Sequence, residues 1–184
     1  MLSWLAKRTA AKQSASRLYG AIVAQSRLPA FYAAFGVPDT VTGRFEMIVL
    51  HLFLVLSRLK SFGAGGERLS QALSEAFIAD MDGSIREMGV GDLTVPKQMQ
   101  ATASAYFGRL KAYENAIGAA AVPGALEAAL ARNLFADDDG PPRPAAVLTG
   151  LAAYVRASAT GLEAQDLGSL AQGQPAFARL PRLA

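Results

Sequence analysis

The sequence predicts an all-α protein, a compact single-domain helical bundle of about six or seven helices around a buried central helix at about residues 40–62. Three observations carry this prediction. Apolar residues recur at spacings of three and four along nearly the whole chain, and no run alternates like a strand for long. The most apolar stretch, MIVLHLFLVL at residues 47–56, belongs to a helix that is apolar almost all round, the pattern of one buried on several sides. A chain of 184 residues, 52% apolar and 18% charged, holds enough material for one good core and hardly enough for two.

Residues 1–15 read as a basic N-terminal extension, residues 16–164 as the helical domain, and residues 165–184 as a tail expected to be poorly ordered. The opening MLSWLAKRTAAKQSASRLYG has no continuous apolar core and no convincing cleavage signal, so it does not read as a secretory signal; a short, acid-free organellar presequence is the minority reading. Lys7, Arg8, Lys12, Arg17 and Arg27 all precede the first acid, Asp39. Such an end is attracted to anionic lipid, nucleic acid or ribosomal RNA, and its blander reading is a frayed, solvated helix.

SRLYGAIVAQSRL (16–28) places Leu18, Ile22 and Val23 on one side and stops at Pro29. PAFYAAFG gives a short helix or turn closed by Gly36 and Pro38. Asp39 or Thr40 can cap the central helix. The unbroken apolar run of that helix is ten residues, with Arg44, Glu46 and Arg58 nearby, against the roughly 20 that a membrane span needs. GAGG (63–66) breaks it. A second helix follows from Glu67 to about Met88, with Leu69, Leu73, Phe77, Met81 and Ile85 every four residues and Gly83 as a weak point. After GVGDL (89–93), Pro96 fits a first helical turn, and Met99, Ala103, Tyr106, Leu110, Tyr113 and Ile117 form a packing seam. Pro123 opens a helix with Leu126, Leu130 and Leu134 that ends at ADDDGPPRP. The last helix, about 144–163, carries Val147, Leu148, Leu151 and Val155.

Little in the chain points to chemistry. With no cysteine there is no disulfide, thiolate metal site or cysteine nucleophile, and one histidine rules out any two-histidine metal motif. GAGGER lacks the third glycine of a dinucleotide fingerprint and follows a helix instead of a strand. Neither DDDGPP nor DMDGS supplies acids at positions 1, 3 and 5 before the glycine, nor a glutamate at position 12, as a calcium loop requires. A Ser-His-Asp triad would need His51, which lies inside the apolar run with no nucleophile elbow anywhere in the chain. A haem ligated by His51 with Met47 or Met81 is the sharper reading of that histidine, and a satisfied core residue the commoner one. The expectation is no catalytic residue, no cofactor and no metal.

Arg44, His51 and Arg58 are seven apart and drift only about 20° from one to the next, so they form one polar seam. If the second helix folds back antiparallel about GAGG, residue i faces roughly residue 129 − i. This predicts His51 near Asp80 and Arg44 near Glu87, each carboxylate compensating a charge that is costly to bury.

VPDTVTGRFEMIVLHLFLVLSRLK (37–60), followed by ADMDGSIREMGVGDLTV (79–95) and more weakly by KAYENA (111–116), resembles the ubiquinol-cytochrome c chaperone family over roughly residues 17–163. The resemblance implies a non-enzymatic assembly factor of respiratory complex III that binds newly made cytochrome b. It further implies a small assembly partner or the ribosome as contacts, peripheral attachment to the inner membrane, and a bacterial cytoplasmic setting, with the mitochondrial matrix as the alternative. By resemblance the partner edge lies where GVGDL meets its adjoining helices, at Arg86, Glu87 and Asp92. Phe107, off the main seam beside Tyr106, is a second candidate. The competing class is a basic membrane-surface or nucleic-acid module anchored by Lys7, Arg8, Lys12 and Arg17, although no specific nucleic acid is expected.

Overall fold

The computed structural model describes residues 2–89, 91, 93–118, 120–136 and 142–182, with side chains from residue 8 onward. Among these residues the chain forms eight α-helices and no strand. They are α1 (Leu2–Ser26), α2 (Pro29–Ala33), α3 (Val41–Leu59), α4 (Gly63–Glu87), α5 (Val95–Ile117), α6 (Ala125–Leu134), α7 (Ala145–Glu163) and α8 (Leu167–Ala171), with one 3-10 turn at Lys60–Phe62.

The central helix is α3. Its N-terminus is capped by Thr40, whose hydroxyl accepts the Gly43 amide at 3.1 Å. From Met47 to Val55 no residue is more than 4% exposed, because α1, α4, α5, α6 and α7 surround the helix. By length and apolarity alone the stretches 41–87 and 145–163 could each cross a membrane. In the bundle the first of these supplies the core, and the second packs Leu151, Ala152, Tyr154 and Val155 into it.

α3 gives way to α4 without a loop. Gly63 takes a positive φ of 53°, which reverses the chain at little steric cost, and the rest of GAGG enters the first turn of α4. Gly66 is needed there because a Cβ would stand 2.0 Å from the Leu59 carbonyl oxygen. The glycines expected to break the helix therefore break it at one residue and then let two helices approach closely. α4 runs in the same direction as α1 and packs along it. Tyr19 of α1 meets the Phe77 ring edge-on at 6.5 Å, and its hydroxyl donates to Asp80 at 2.7 Å.

Two boundaries differ from expectation. α1 runs unbroken from Leu2 to Ser26 through the predicted boundary at residue 15, and Ala15 is itself 1% exposed. The segment after residue 164 also packs against the bundle. Asp166 caps α8 by accepting the Ser169 amide at 2.7 Å, and Leu170 is fully buried. Gln165 uses both ends of its amide: Nε2 donates to the Gln174 carbonyl, and Oε1 accepts the Ala176 amide. The Ala178 amide donates to Ser158 Oγ at 3.0 Å. A segment of modest apolarity is held here because Leu170 and Phe177 pack against the core while Ser158 and the segment's own Gln165 satisfy its backbone.

Candidate functional site

His51 lies at the middle of α3 with no exposed surface. Its Nδ1 is 2.7 Å from the Met47 carbonyl oxygen, which can only accept, so the proton sits on Nδ1. Nε2 is then an acceptor, and it takes the Tyr154 hydroxyl at 2.7 Å. That hydroxyl accepts in turn from Gln25 Nε2 at 3.1 Å. Burial pushes the Tyr154 hydroxyl up to about 12, so it remains a donor at neutral pH. Burial also drives the imidazole down to about 4, against a smaller opposing pull from the Met47 carbonyl. The rings of Phe31 and Phe177 meet the imidazole edge-on at 5.5 and 5.0 Å. Both ring nitrogens are thus engaged, and a metal could be ligated only by breaking one of these bonds. The arrangement ties α1, α3 and α7 together and presents no reactive atom to solvent.

The predicted polar pairs do not form. His51 bonds to Tyr154 instead of Asp80, Asp80 bonds to Tyr19, and Arg44 pairs with Asp39 at 2.6 Å on the surface. Glu87 is exposed. The antiparallel register itself holds, since Val41, Thr42 and Phe45 meet Met81, Ser84, Ile85 and Met88. The seam fails because His51 stands about 120° round α3 from Phe45, and so looks toward α7 and not α4. Arg58, on the same seam, donates from Nε to the Gln165 carbonyl at 3.2 Å.

An ion pair that the sequence reading missed lies deeper. Glu46 on α3 is 2% exposed and receives Arg109 of α5 on both oxygens, Nε at 3.0 and 3.1 Å and Nη2 at 3.0 Å. Its signal was available. Arg109 falls between Tyr106 and Tyr113 on the buried seam of α5, and a cation placed there needs an internal partner.

One feature that opens to solvent is apolar. A groove of about 370 Å³ lies between the start of α3, the end of α4 and the start of α5, lined by Val41, Phe45, Met81, Ile85, Met88 and Ala101 with smaller neighbours. Among the described residues that line it, none is charged. Val41 is 67% and Met88 53% exposed at its rim, so the groove opens to solvent.

Of the predicted partner residues, Arg86 and Glu87 lie on the last turn of α4 beside this groove, and Arg86 pairs with Asp82 at 2.7 Å. Asp92 lies outside the described residues. Phe107 is 64% exposed but stands about 200° round α5 from the groove residue Ala105, so it belongs to another face.

The basic residues also separate. Arg8 and Lys12 line a cleft with Arg68 of α4, whereas Arg17 donates to the Ala171 carbonyl at 3.2 Å and anchors the C-terminal segment. The Lys7 side chain lies outside the described ones. Among the described residues no three of histidine, aspartate and glutamate converge on a metal-sized site.

The fold and its geometry thus define an all-helical bundle with its one histidine locked in the core and an apolar groove open to solvent. Residues 33–177 match the model of the ubiquinol-cytochrome C chaperone family, and the chain belongs to that family. It is 26% identical over 155 residues to ubiquinol-cytochrome-c reductase complex assembly factor 1 of Xenopus laevis, covering 84% of this chain and 75% of the frog protein. Against the mouse protein of that name it is 27% identical over 145 residues, and it spans only 48% of the mouse chain. The crystal structure of the Cbp3 homolog from Brucella abortus superposes with a TM-score of 0.82 at 36% identity, covering the whole of both chains.

Proposed function

We propose that this protein is a non-catalytic assembly factor for the ubiquinol-cytochrome c reductase complex, and that it binds and stabilises newly made cytochrome b in the groove between α3, α4 and α5. Family membership supports the assembly role, and the groove is the observation that carries the binding mode. Its lining is uncharged and includes Met81 and Met88, whose flexible thioethers adapt to varied apolar surfaces. An apolar helix awaiting insertion would suit such a surface, because every charge in contact with it would otherwise lose water without gaining a partner. Binding shields the client from aggregation and releases it to later subunits, with no bond made or broken. The protein works in the bacterial cytoplasm at the inner membrane, and a small partner or the ribosome meets the exposed end of α4 around Arg86 and Glu87.

Replacing Val41 and Met88 together by glutamate tests this. Both side chains are at the rim, so the fold should tolerate the change while the groove acquires two charges. The expected result is a loss of assembled reductase complex and of cytochrome b in cells, with the purified variant melting within a few degrees of wild type. Normal levels of the complex would refute the assignment of the groove.

A further inference from the structure

At the opposite end of α4 from the groove, about 20 Å away along the helix, is a cleft of quite different character. Arg8, Ala11 and Lys12 of α1 face Arg68, Gln71, Ala72 and Glu75 of α4 across a space of about 360 Å³. Among the described residues three cations and one carboxylate line it, and Gln71 Nε2 donates to that carboxylate at 3.1 Å, so the cleft carries net positive charge. Because α1 and α4 run in the same direction, both turn their electropositive N-terminal ends toward this end of the bundle. The first turns of α1 contain Leu2, Trp4 and Leu5, and Trp4 is the only tryptophan of the chain.

We propose that this cleft is a docking site for the phosphate headgroups of an anionic phospholipid surface. Arg68 offers a planar guanidinium fork that matches a phosphate's oxygens, and Lys12 and Arg8 add positive charge. In the sequence, leucines and a tryptophan precede these basic residues, the composition of an interfacial anchor. Single-stranded RNA binding draws on several aromatic platforms for successive bases, and among the described residues no aromatic side chain lines the cleft. The bundle then rests on the bilayer by its basic end, leaving the apolar groove at the far end of α4 open. The site is independent of what the groove holds, since it uses other residues at the other end of α4.

The test uses the full chain with vesicles of phosphatidylcholine alone or mixed with phosphatidylglycerol, read by co-sedimentation and by Trp4 emission. Binding that needs phosphatidylglycerol, weakens with salt and shifts Trp4 emission to the blue is the expected result. Arg68→Gln and Lys12→Gln should each lower partitioning about fivefold, while Arg27→Gln, at the other end of α1, should leave it unchanged. Arg68 is the decisive position, because a mere basic N-terminal tail would not depend on a residue of α4. Absence of phosphatidylglycerol-dependent binding at physiological ionic strength, wild-type partitioning of the Arg68→Gln variant, or binding to RNA but not to vesicles would each overturn the proposal.

Discussion

Replacing His51 by glutamine isolates the consequence of burying a neutral imidazole at the centre of the bundle. In the unfolded chain the group titrates near its ordinary value of about 6.5, and in the fold burial brings it to about 4. Below about pH 6.5 the unfolded chain therefore takes up a proton that the folded chain refuses. Stability contributed by the neutral imidazole is complete above that pH and is lost as pH falls toward 4. Linkage between these two values gives a loss of roughly 2 kcal/mol between about pH 8 and about pH 5. Glutamine can still donate to the Met47 carbonyl and accept from Tyr154, but it forfeits the edge contacts with Phe31 and Phe177, which costs about 1 kcal/mol near pH 8. Urea unfolding followed by far-ultraviolet circular dichroism should show wild type the more stable near pH 8 and the variant the more stable near pH 5. The carboxylates whose values are lowered, Asp39, Asp82, Glu114, Glu127 and Asp166, titrate at lower pH and are common to both proteins. Parallel pH profiles for the two proteins would refute the argument.

Other consequences can be measured on the same footing. Arg109→Leu strands the Glu46 carboxylate inside the bundle and should cost about 3 kcal/mol, whereas combining it with Glu46→Leu should recover much of that loss in a double-mutant cycle. Gly83→Ala meets nothing within 4 Å and should stabilise α4 by about 0.5–1 kcal/mol, while Gly66→Ala must push the Leu59 carbonyl away and should destabilise by chemical denaturation. Phe177→Ala should increase amide exchange in residues 174–178, which the ring fastens against His51; unchanged exchange would mean that the hydrogen bonds from Gln165 and Ser158 suffice.

The helices were legible in the sequence because their apolar spacing is regular and their ends are marked. Pro29, Thr40, Gly63 and Pro96 all stand at or beside helix boundaries. Even the α3–α4 register could be anticipated, since GAGG leaves so short a connection. Side-chain pairing across it could not. His51 sits on a face of α3 that any of several helices might have covered, and its partner Tyr154 is 103 residues away. The place of Arg109 on the buried seam of α5 signalled the need for an internal partner, but Glu46, 63 residues away, could not be picked out as that partner. The order of the tail was not legible because it comes from scattered apolar anchors, Leu170 and Phe177, and from polar contacts of Gln165, Ser158 and Arg58, which leave no periodic trace in its sequence. The groove is also a product of three helix ends meeting. Arg86 and Glu87 stand beside it and Phe107 on another face, whereas its lining left no sign in the sequence.

A photoreactive residue placed at Met88 and activated in growing cells reads the occupant of the groove directly. The account predicts a covalent adduct containing cytochrome b, formed from position 88 and absent from position 107 on the other face of α5. Adducts with cytochrome b from position 107 alone, or none from either, would contradict it.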